Sequence, residues 1–380
     1  MAKPAVPDYL GQTFDDTPPG HRFTLYGAFW EPDQGWQRVK NVASANLKRD
    51  FGPLTPQIKK LRDALRDRQA HVAAALGDAI WHIAAQSSAP FVTGTGIEHP
   101  LENGMAFLNP YGLPYLAGSG VKGVLRRAAE ELRHDVFDEG ATGWDQPAID
   151  ALFGREPKSG DTEHTRGALS FWDVFPQCDR LAVDIMTPHY GDYYQGNGNA
   201  TPHDSGQPNP ILFLTVPPGS GFGFFVQCDP AMLPESLKES WQDLLESAFR
   251  HAFDWLGFGA KTAVGYGAMH RDLEAEQQRR AETAQRVRQA AEAALSSGQK
   301  MIVELRRWFD EDQTARRKES GGRLANRLNE LLKDGLPWPA AEREDLAQLA
   351  EAIYGYLDWG SGKKKQERKA KIQQLREGAT

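Results

Sequence analysis

The chain has 380 residues, 40% hydrophobic side chains and a formal net charge of −7, which fits one large domain with an appendage and argues against a general polyanion binder. No run reaches the roughly 18 consecutive apolar residues of a membrane span, and the start lacks a secretory signal. Because Cys178 and Cys228 lie far apart and in no CxxC motif, the sequence predicts a cytoplasmic protein with no membrane contact, metal ion or cofactor.

Residues 1–55 are rich in Pro, Gly and aromatic side chains. This composition predicts an extended arm that docks on another surface, because so many large rings would not remain in water. A helix is predicted from Pro56, where apolar residues recur at helical spacing until Gly77 ends it. Between Arg38 and Arg68, nine Lys and Arg stand against three Asp and Glu. Residues 69–270 are acidic overall, so any nucleic-acid contact must use local basic features.

The middle of the chain contains an ordered series of predicted elements. Ser236, with Glu239 three residues later, predicts a capping box at the start of a helix. With insertions removed, the order is β-α-β-β-α-β, the pattern of ferredoxin-like (RRM-like) folds, so the predicted class is α+β with a ferredoxin-like core and long insertions. The predicted strands are 79–86, 168–175, 181–186, 211–216, 222–227 and 267–271, and the predicted helices are 121–133 and 237–256.

Beyond residue 271 the composition shifts to Ala, Glu, Arg, Gln and Leu, which predicts an all-α C-terminal appendage. A basic end between Lys363 and Lys371 follows a Gly-Ser-Gly link; a single helical hairpin with a disordered tail is the alternative. The predicted helices are 273–296, 299–309, 322–333 and 340–358. The predicted divisions are an arm at 1–55, a ferredoxin-like domain with an N-terminal helix at 56–271, and a helical extension with a basic tail at 272–380.

The first candidate site is a turn of small residues that leads directly into the helix at 121–133. Its residues are Gly118, Ser119, Gly120, Lys122 and Arg126. Ser119 is predicted to cap the helix, which leaves the amides around Gly120 free to donate to an anion. Lys122 and Arg126 are four residues apart and share a helix face, so both are positioned for backbone phosphates. An ordinary capped helix with two solvated cations is the alternative.

The second candidate site is a glycine-rich loop after the second core helix. Such a loop can approach a ligand through its backbone, and Lys261 and Thr262 offer phosphate contacts. Ala260 precedes Lys261 and a helix leads in, which argues against a nucleotide-binding P-loop. Tyr266 is predicted either to stack on a base or to pack within the protein. The candidate residues are Gly257, Gly259, Lys261, Thr262, Gly265, Tyr266 and Gly267.

The third candidate segment, 184–194, combines His189 with two acids and three tyrosines. These residue types are those of a metal or general-base site, but the spacing is neither helical nor turn-like and nothing marks a nucleophile. The composition favours a structural or RNA-facing loop. Residues 196–210 read as a long flexible insertion between strands, placed to touch a neighbouring subunit or a bound strand.

These segments, in this order, resemble the RAMP superfamily of CRISPR systems and, more narrowly, the sixth-subunit family of the type III-B (Cmr) complex. Ala117 and Gly120 stand where family members usually have a proline and a serine, but Lys122 and Arg126 are kept. The matching segments are 93–96, 99–104, 112–126, 152–154, 169–173, 184–194 and 257–267.

The resemblance implies a ferredoxin-like subunit that stacks along a guide RNA, contacts other Cmr/RAMP subunits and the target RNA, and lies toward the guide's 3′ end. It implies no catalytic residue in this chain, because target cleavage in the related complexes belongs to a repeated subunit with a catalytic Asp. We therefore predict a structural subunit that holds the RNA backbone at residues 118–126 and 257–267. Two alternatives remain: a metal-independent RAMP endoribonuclease that processes CRISPR precursor RNA with His99 or His189 as base, and a pure protein scaffold.

Overall fold

The computed structural model describes residues 2–11, 14–39, 44–134, 143–155, 165–187, 210–319, 321–358 and 360–378. The chain divides into two compact units, Met1–Ala281 and Glu282–Thr380. The helices are α1 (Pro19–Thr24), α2 (Ser44–Phe51), α3 (Pro56–Leu76), α4 (Gly118–Arg133), α5 (Gln146–Phe153), α6 (Trp241–His251), α7 (Leu273–Ala294), α8 (Ser297–Thr314), α9 (Arg323–Asp334), α10 (Ala340–Leu357) and α11 (Lys363–Glu377). The strands are β1 (Trp30–Glu31), β2 (Gln37–Arg38), β3 (Ile80–Ser87), β4 (Phe107–Leu108), β5 (Leu113–Pro114), β6 (Leu169–Phe171), β7 (Ala182–Met186), β8 (Ile211–Thr215), β9 (Gly221–Cys228) and β10 (Met269–Arg271).

The first unit contains a four-stranded antiparallel sheet, and both candidate sites adjoin it. Its strand order is β10-β3-β9-β6. The central strands β3 and β9 pair along their length, from Ile80 opposite Gln227 to Gln86 opposite Gly221. The combination of this antiparallel sheet with helices confirms the predicted α+β class.

Helices α4 and α6 pack against each other, and α6 covers one face of the sheet. The rings of Trp81 on β3 and Phe224 on β9 lie 5.1 and 5.3 Å from the ring of Phe249 on α6. Helix α4 forms because its buried residues recur every three or four positions, which gives the helix one apolar face. These buried apolar residues are Val121, Leu125, Ala128, Ala129 and Leu132.

The strand register places the two candidate segments at different positions along the sheet. Strand β10 begins at Met269, opposite Ser87 at the end of β3, so the glycine-rich loop before β10 lies at that end. Strand β6 runs parallel to β3, because both are antiparallel to β9. Gly118 at the start of α4 lies against Phe171, the last residue of β6. Phe171 is opposite Val226, which pairs with Trp81 near the beginning of β3, so this turn is about six strand residues from the end at Ser87.

Strands β7 and β8 form a separate two-stranded antiparallel sheet, with Ala182 opposite Thr215 and Met186 opposite Ile211. The sequence predicted both strands. Their connection includes residues 188–209, so the predicted loop at 196–210 and the histidine at 189 fall outside the described residues, apart from Pro210.

The N-terminal segment is folded into the first unit, not extended as predicted. The side chains of Phe23, Phe29 and Phe51 are buried in the main core, with exposed fractions of 1%, 4% and 3%. The ring of Phe23 stacks on that of His99 with centroids 3.8 Å apart. These three phenylalanines therefore dock on the chain itself.

The predicted capping box at Ser236 and Glu239 is wrong. Residues Glu235–Leu237 form a 3-10 turn, and α6 begins only at Trp241, so Ser236 precedes the helix by more than one turn. The last part of the predicted helix, Ala252–Leu256, is a π-helical turn. The local capping pattern did not predict the start of α6, because Pro234 begins a separate short turn before this helix.

The second unit has its own apolar core, formed between α8, α9, α10 and α11. Helix α11 begins at Lys363 and buries Ile372 and Leu375, so the basic end of the chain is helical. In the described part of the chain, no helix is long and apolar enough to cross a bilayer. Central residues of this core are Leu305, Leu328, Leu331, Leu346, Ile353 and Tyr354.

Candidate nucleic-acid interface

The start of α4 is held against the end of β6 by a backbone-to-carboxylate hydrogen bond. The amide of Gly118 donates to Asp173 Oδ1 at 2.7 Å. A Cβ atom at Gly118 would lie 2.1 Å from the carbonyl oxygen of Phe171, so only glycine fits here without movement of the backbone. The small-residue turn therefore permits a close approach of the helix to the strand.

The predicted cap at Ser119 is wrong, because the helix begins earlier than the periodicity indicated. Ala117 is the N-cap residue, and Ser119 lies inside the first turn. The amides of Gly120 and Val121, predicted to be free, both donate to the carbonyl oxygen of Ala117, at 2.8 and 3.1 Å. The carboxylate of Asp173 also occupies the positive end of the helix. The backbone of this turn is thus largely satisfied within the chain, although Ser119 and Gly120 are exposed.

The two predicted cations of α4 have different environments. Arg126 Nη1 donates to the carbonyl oxygen of Gly154 at 2.7 Å, so the guanidinium stabilises the end of α5. Lys122 is half-buried, and within the described residues no ion pair or hydrogen bond engages its ammonium group. Lys122 is therefore the cation that remains for an external anion.

The glycine-rich loop is anchored at both ends and exposed between them. The amide of Ala260 donates to Val92 O at 2.7 Å, and that of Gly267 donates to Pro90 O at 2.8 Å. Gly257 and Gly267 are buried, whereas Gly259 and Gly265 are exposed. All four adopt positive φ values, between 68° and 96°. The ends of this loop are structural, and only its middle can meet a ligand.

Lys261 and Tyr266 both face the β7–β8 sheet. Tyr266 Oη donates to Asp184 Oδ2 at 2.7 Å, and burial together with this carboxylate raises the pKa of the phenol to about 12. Its ring lies 5.9 Å from that of Phe213. Lys261 Nζ lies 5.7 Å from the Phe213 ring centroid and 2.9 Å from Met186 Sδ. Of the two predicted roles for Tyr266, packing within the protein is the one that these contacts describe.

Thr262 begins a 3-10 turn, Thr262–Val264, at the exposed middle of the loop. Lys261, just before it, has a left-handed backbone with φ 61°. Gly265 then ends the turn, also with a left-handed backbone. This tight turn presents its outer side to solvent, with Val264 at 74% exposure.

His99 is engaged through both ring nitrogens. Nε2 lies 2.9 Å from the carbonyl oxygen of Phe23, to which it donates, and Nδ1 accepts from the amide of Leu101 at 3.1 Å. Burial lowers the pKa of the ring, against the opposing effect of the Phe23 hydrogen bond. The contacts describe a neutral packing histidine, and the other proposed base, His189, lies outside the described residues.

A cleft of about 410 Å³ lies beside the start of α4, and sequence reasoning missed it. Its lining includes Arg68 from α3 and Trp172 and Asp173 from the segment after β6. Arg68 Nη2 donates to Tyr111 Oη at 2.8 Å. The excess of positive charge between Arg38 and Arg68 indicated a basic surface in this region. The cleft itself could not be predicted, because α3 packs along the segment after β6 through tertiary contacts that leave no local sequence pattern.

Among the described residues, no three His, Cys, Asp or Glu side chains come together as a metal site. Cys178 and Cys228 are buried free thiols, and burial raises the pKa of each to about 11. Such thiols are protonated at neutral pH and are poor metal ligands and nucleophiles. Neither cysteine contributes chemistry to the interface.

Residues 88–270 match the family model of the RAMP superfamily. The chain is 30% identical over 225 residues to the CRISPR system Cmr subunit Cmr6 of Pyrococcus furiosus, which covers 47% of this chain and 64% of that relative. It is 24% identical over 169 residues to the Cmr6 subunit of Saccharolobus solfataricus, covering 43% and 47%. The matches thus span less than two thirds of the length of these relatives.

Two solved structures show a weaker similarity. The crystal structure of Cmr6 from Pyrococcus furiosus has a TM-score of 0.28 and 24% identity, covering 51% of this chain and 98% of that chain. The type III-B Cmr-beta complex bound to cognate target RNA contains a chain with a TM-score of 0.42 and 20% identity, covering 60% and 69%. Residues 88–270, just under half of the chain, are thus similar to the RAMP superfamily, and the chain is similar over part of its length to two Cmr6 subunits.

Proposed function

We propose that this chain is a structural, RNA-binding subunit of a type III-B CRISPR effector complex, working in the cytoplasm in antiviral defence. It holds the sugar-phosphate backbone of the guide RNA toward its 3′ end, near the target RNA, and contacts neighbouring RAMP subunits. The observation that carries this proposal is the family match at residues 88–270, which encloses both the α4 turn and the glycine-rich loop. The similarity to two Cmr6 subunits supports the same assignment.

The proposed contact surface is narrower than the residue set predicted from the sequence. Ser119 and Gly120 are exposed at the start of α4, and Lys122 follows in the next turn with no partner among the described residues. The exposed middle of the glycine-rich loop, Gly259 to Gly265, lies before β10 and is the second part of the proposed surface. A cation that follows an exposed serine suits a phosphodiester, which offers charge and acceptors but no sequence information.

We infer that the core is ferredoxin-like. With β3, β6, β9 and β10 taken as the first to fourth core strands, the sheet order is four-one-three-two and every pair is antiparallel. Helix α4 follows the first core strand and α6 follows the third, as the βαββαβ pattern requires. We retain 56–271 as the RAMP domain, with 1–55 as its N-terminal segment and 272–380 as a helical extension.

The proposed role is non-catalytic and needs no cofactor. A metal-independent ribonuclease requires a general base that can exchange its proton with the RNA 2′-hydroxyl. His99 is buried, and its two nitrogens already bond to Phe23 O and to the Leu101 amide. This arrangement supports a structural subunit over the ribonuclease alternative.

The test is guide retention in the complex assembled from this full chain and its co-expressed neighbours. We expect Lys122→Ala to release guide RNA at lower salt than wild type, equally for unrelated guide sequences, and to lower the salt slope by roughly 0.7. Lys238→Ala serves as the control, because Lys238 is exposed and paired with Glu235 before α6. Unchanged retention, with no ultraviolet crosslink to residues 118–126 or 257–267, would establish a pure scaffold. Cleavage of labelled precursor RNA by the purified chain would establish the ribonuclease.

A further inference from the structure

A second cleft, of about 660 Å³, lies where the α2–α3 junction meets the start of β7. Backbone contacts fix its walls. The amide of Leu181 donates to Gly52 O at 2.7 Å, the amide of Leu54 donates to Asp179 O at 3.3 Å, and Pro53 forms an isolated β-bridge with Arg180. Because two chain segments are tied together at its base, the cleft is a formed feature of the first unit.

Three cations from three different segments line this cleft: Lys48 on α2, Lys59 on α3 and Arg180 before β7. Of the described residues that line the cleft, one is a carboxylate: Asp179, which lies 2.9 Å from Lys59 Nζ and has a 79% exposed side chain. Lys48 and Arg180 are exposed, and in the described part of the chain neither has an ion-pair partner. The cleft therefore carries a net positive charge on a unit whose middle region is acidic.

The rest of the lining is apolar or backbone. Leu54 and Leu181 are buried, and Val183 and Ala182 are half-buried. Among the described residues that line the cleft, none is an aromatic residue on which a base would stack. This combination suits the phosphates and sugars of a nucleic-acid strand and not its base edges.

One face of α3 connects this cleft with the start of α4. Lys59 pairs with Asp179 at one end of the helix, and Gln69 Nε2 donates to Asp173 O at 2.7 Å toward the other end. Asp173 is the residue that binds the amide of Gly118. Ten residues of helix separate Lys59 from Gln69, a distance of about 15 Å at 1.5 Å per residue. A single RNA strand is long enough to contact both places, and RNA is the occupant that the proposed contact at the start of α4 favours.

We propose that the cleft formed by Lys48, Lys59 and Arg180 binds the phosphodiester backbone of single-stranded RNA, as a second contact beside the α4 turn. This inference rests on the proposed function. The strand runs along α3, and its binding at the cleft is independent of sequence. Asp179 competes with the RNA for Lys59.

The experiment measures binding of fluorescein-labelled single-stranded poly(U) to the full chain by anisotropy across a salt series. We expect Lys48→Ala with Arg180→Ala to lower the slope of log K against log salt by roughly 1.4, since each lost single-strand contact is worth roughly 0.7. Lys60→Ala, an exposed lysine on α3 that does not line the cleft, is the matched control and should leave the slope unchanged. Asp179→Asn should raise the affinity about two- to fivefold, the range of an exposed charge pair.

The outcomes separate the two proposals. If poly(U) binds and depends on Lys122, but the double cleft variant matches wild type, the cleft proposal is overturned and the proposed function stands. If wild type binds no RNA, alone or in the assembled complex, both are overturned. If poly-glutamate binding depends on Lys48 and Arg180 while poly(U) binding does not, the cleft is a protein-docking site and the inference is wrong.

Discussion

The carboxylate of Asp173 accepts the amide proton of Gly118 at 2.7 Å, so an anion of the chain itself occupies the start of α4. Helix starts attract anions, and an external phosphate at this turn must share the positive potential with Asp173. The strength of any RNA contact at Lys122 is therefore set in part by Asp173, which lies 55 positions after Gly118 in the chain.

Asp173→Asn should tighten RNA binding while largely preserving the fold. The amide oxygen can still accept from Gly118, but the negative charge at the start of α4 is removed. Asp173→Ala should instead lose the cap and cost about 1–2 kcal/mol in the free energy of unfolding. Urea denaturation measures the stability and poly(U) anisotropy measures the binding. An alanine variant as stable as wild type would contradict the capping role.

Glu131→Gln should weaken the contact between α4 and α6. Glu131 Oε2 lies 2.9 Å from His251 Nε2, and both side chains are buried. The lost charge-assisted bond should cost about 1–2 kcal/mol at pH 7, measured by urea denaturation. Glu239→Gln, at an exposed position before α6, is the matched control and should have no effect.

The same glutamate should make stability depend on acid pH. Burial alone would raise the Glu131 pKa, but hydrogen bonds from His251 and Arg127 outweigh it and hold the pKa below its usual value. A carboxylate with a lowered folded-state pKa stabilises the fold above its unfolded pKa, and this stabilisation is lost as pH falls through the folded pKa. Below about pH 4 the Tm of wild type should therefore fall more steeply than that of Glu131→Gln. Parallel Tm curves for the two proteins would count against this assignment.

Alanine at two glycines of the glycine-rich loop should have unequal effects. A Cβ atom at Gly267 would lie 1.8 Å from Phe258 O, whereas Gly265 faces open space, and both have positive φ. Gly265→Ala should cost about 1 kcal/mol for its left-handed backbone. Gly267→Ala adds a backbone clash and should cost about 2–3 kcal/mol more. Equal losses in urea denaturation would show that the loop relaxes around the added methyl group.

Leu375→Ala should loosen the C-terminal helical unit. Leu375 is fully buried in the second core, and removing a buried leucine side chain typically costs about 2–5 kcal/mol. Hydrogen exchange of the full chain should become faster in peptides from α10 and α11 but unchanged in β3 and β9. Gln373→Ala, an exposed position two residues earlier, is the control. Wild-type protection in the leucine variant would indicate that α11 contributes little to this core.

Elements with a strong apolar period were predicted well, and contacts between distant residues were not. Helix α3 runs over Pro56–Leu76, where the spacing placed it, and β3 and β9 lie within one residue of their predicted ends. Lys122 and Arg126 were predicted to bind phosphates together. Arg126 instead donates a hydrogen bond to the carbonyl oxygen of Gly154, 28 residues later in the chain. Ser119 failed as a cap because Asp173 reaches the first turn from another segment. Helical spacing identifies shared faces, but it carries no information about which carboxylates or carbonyls the fold brings to them.

Because Phe23 stacks on His99, the N-terminal segment is required when the protein is expressed and purified. A truncated version that begins at Pro56 would uncover one face of the His99 imidazole and remove the carbonyl that Nε2 needs. It would also remove Phe29 and Phe51 from the core and expose a large apolar surface to water. Such a fragment should aggregate on expression, so affinity tags belong before residue 1 and not in place of these residues.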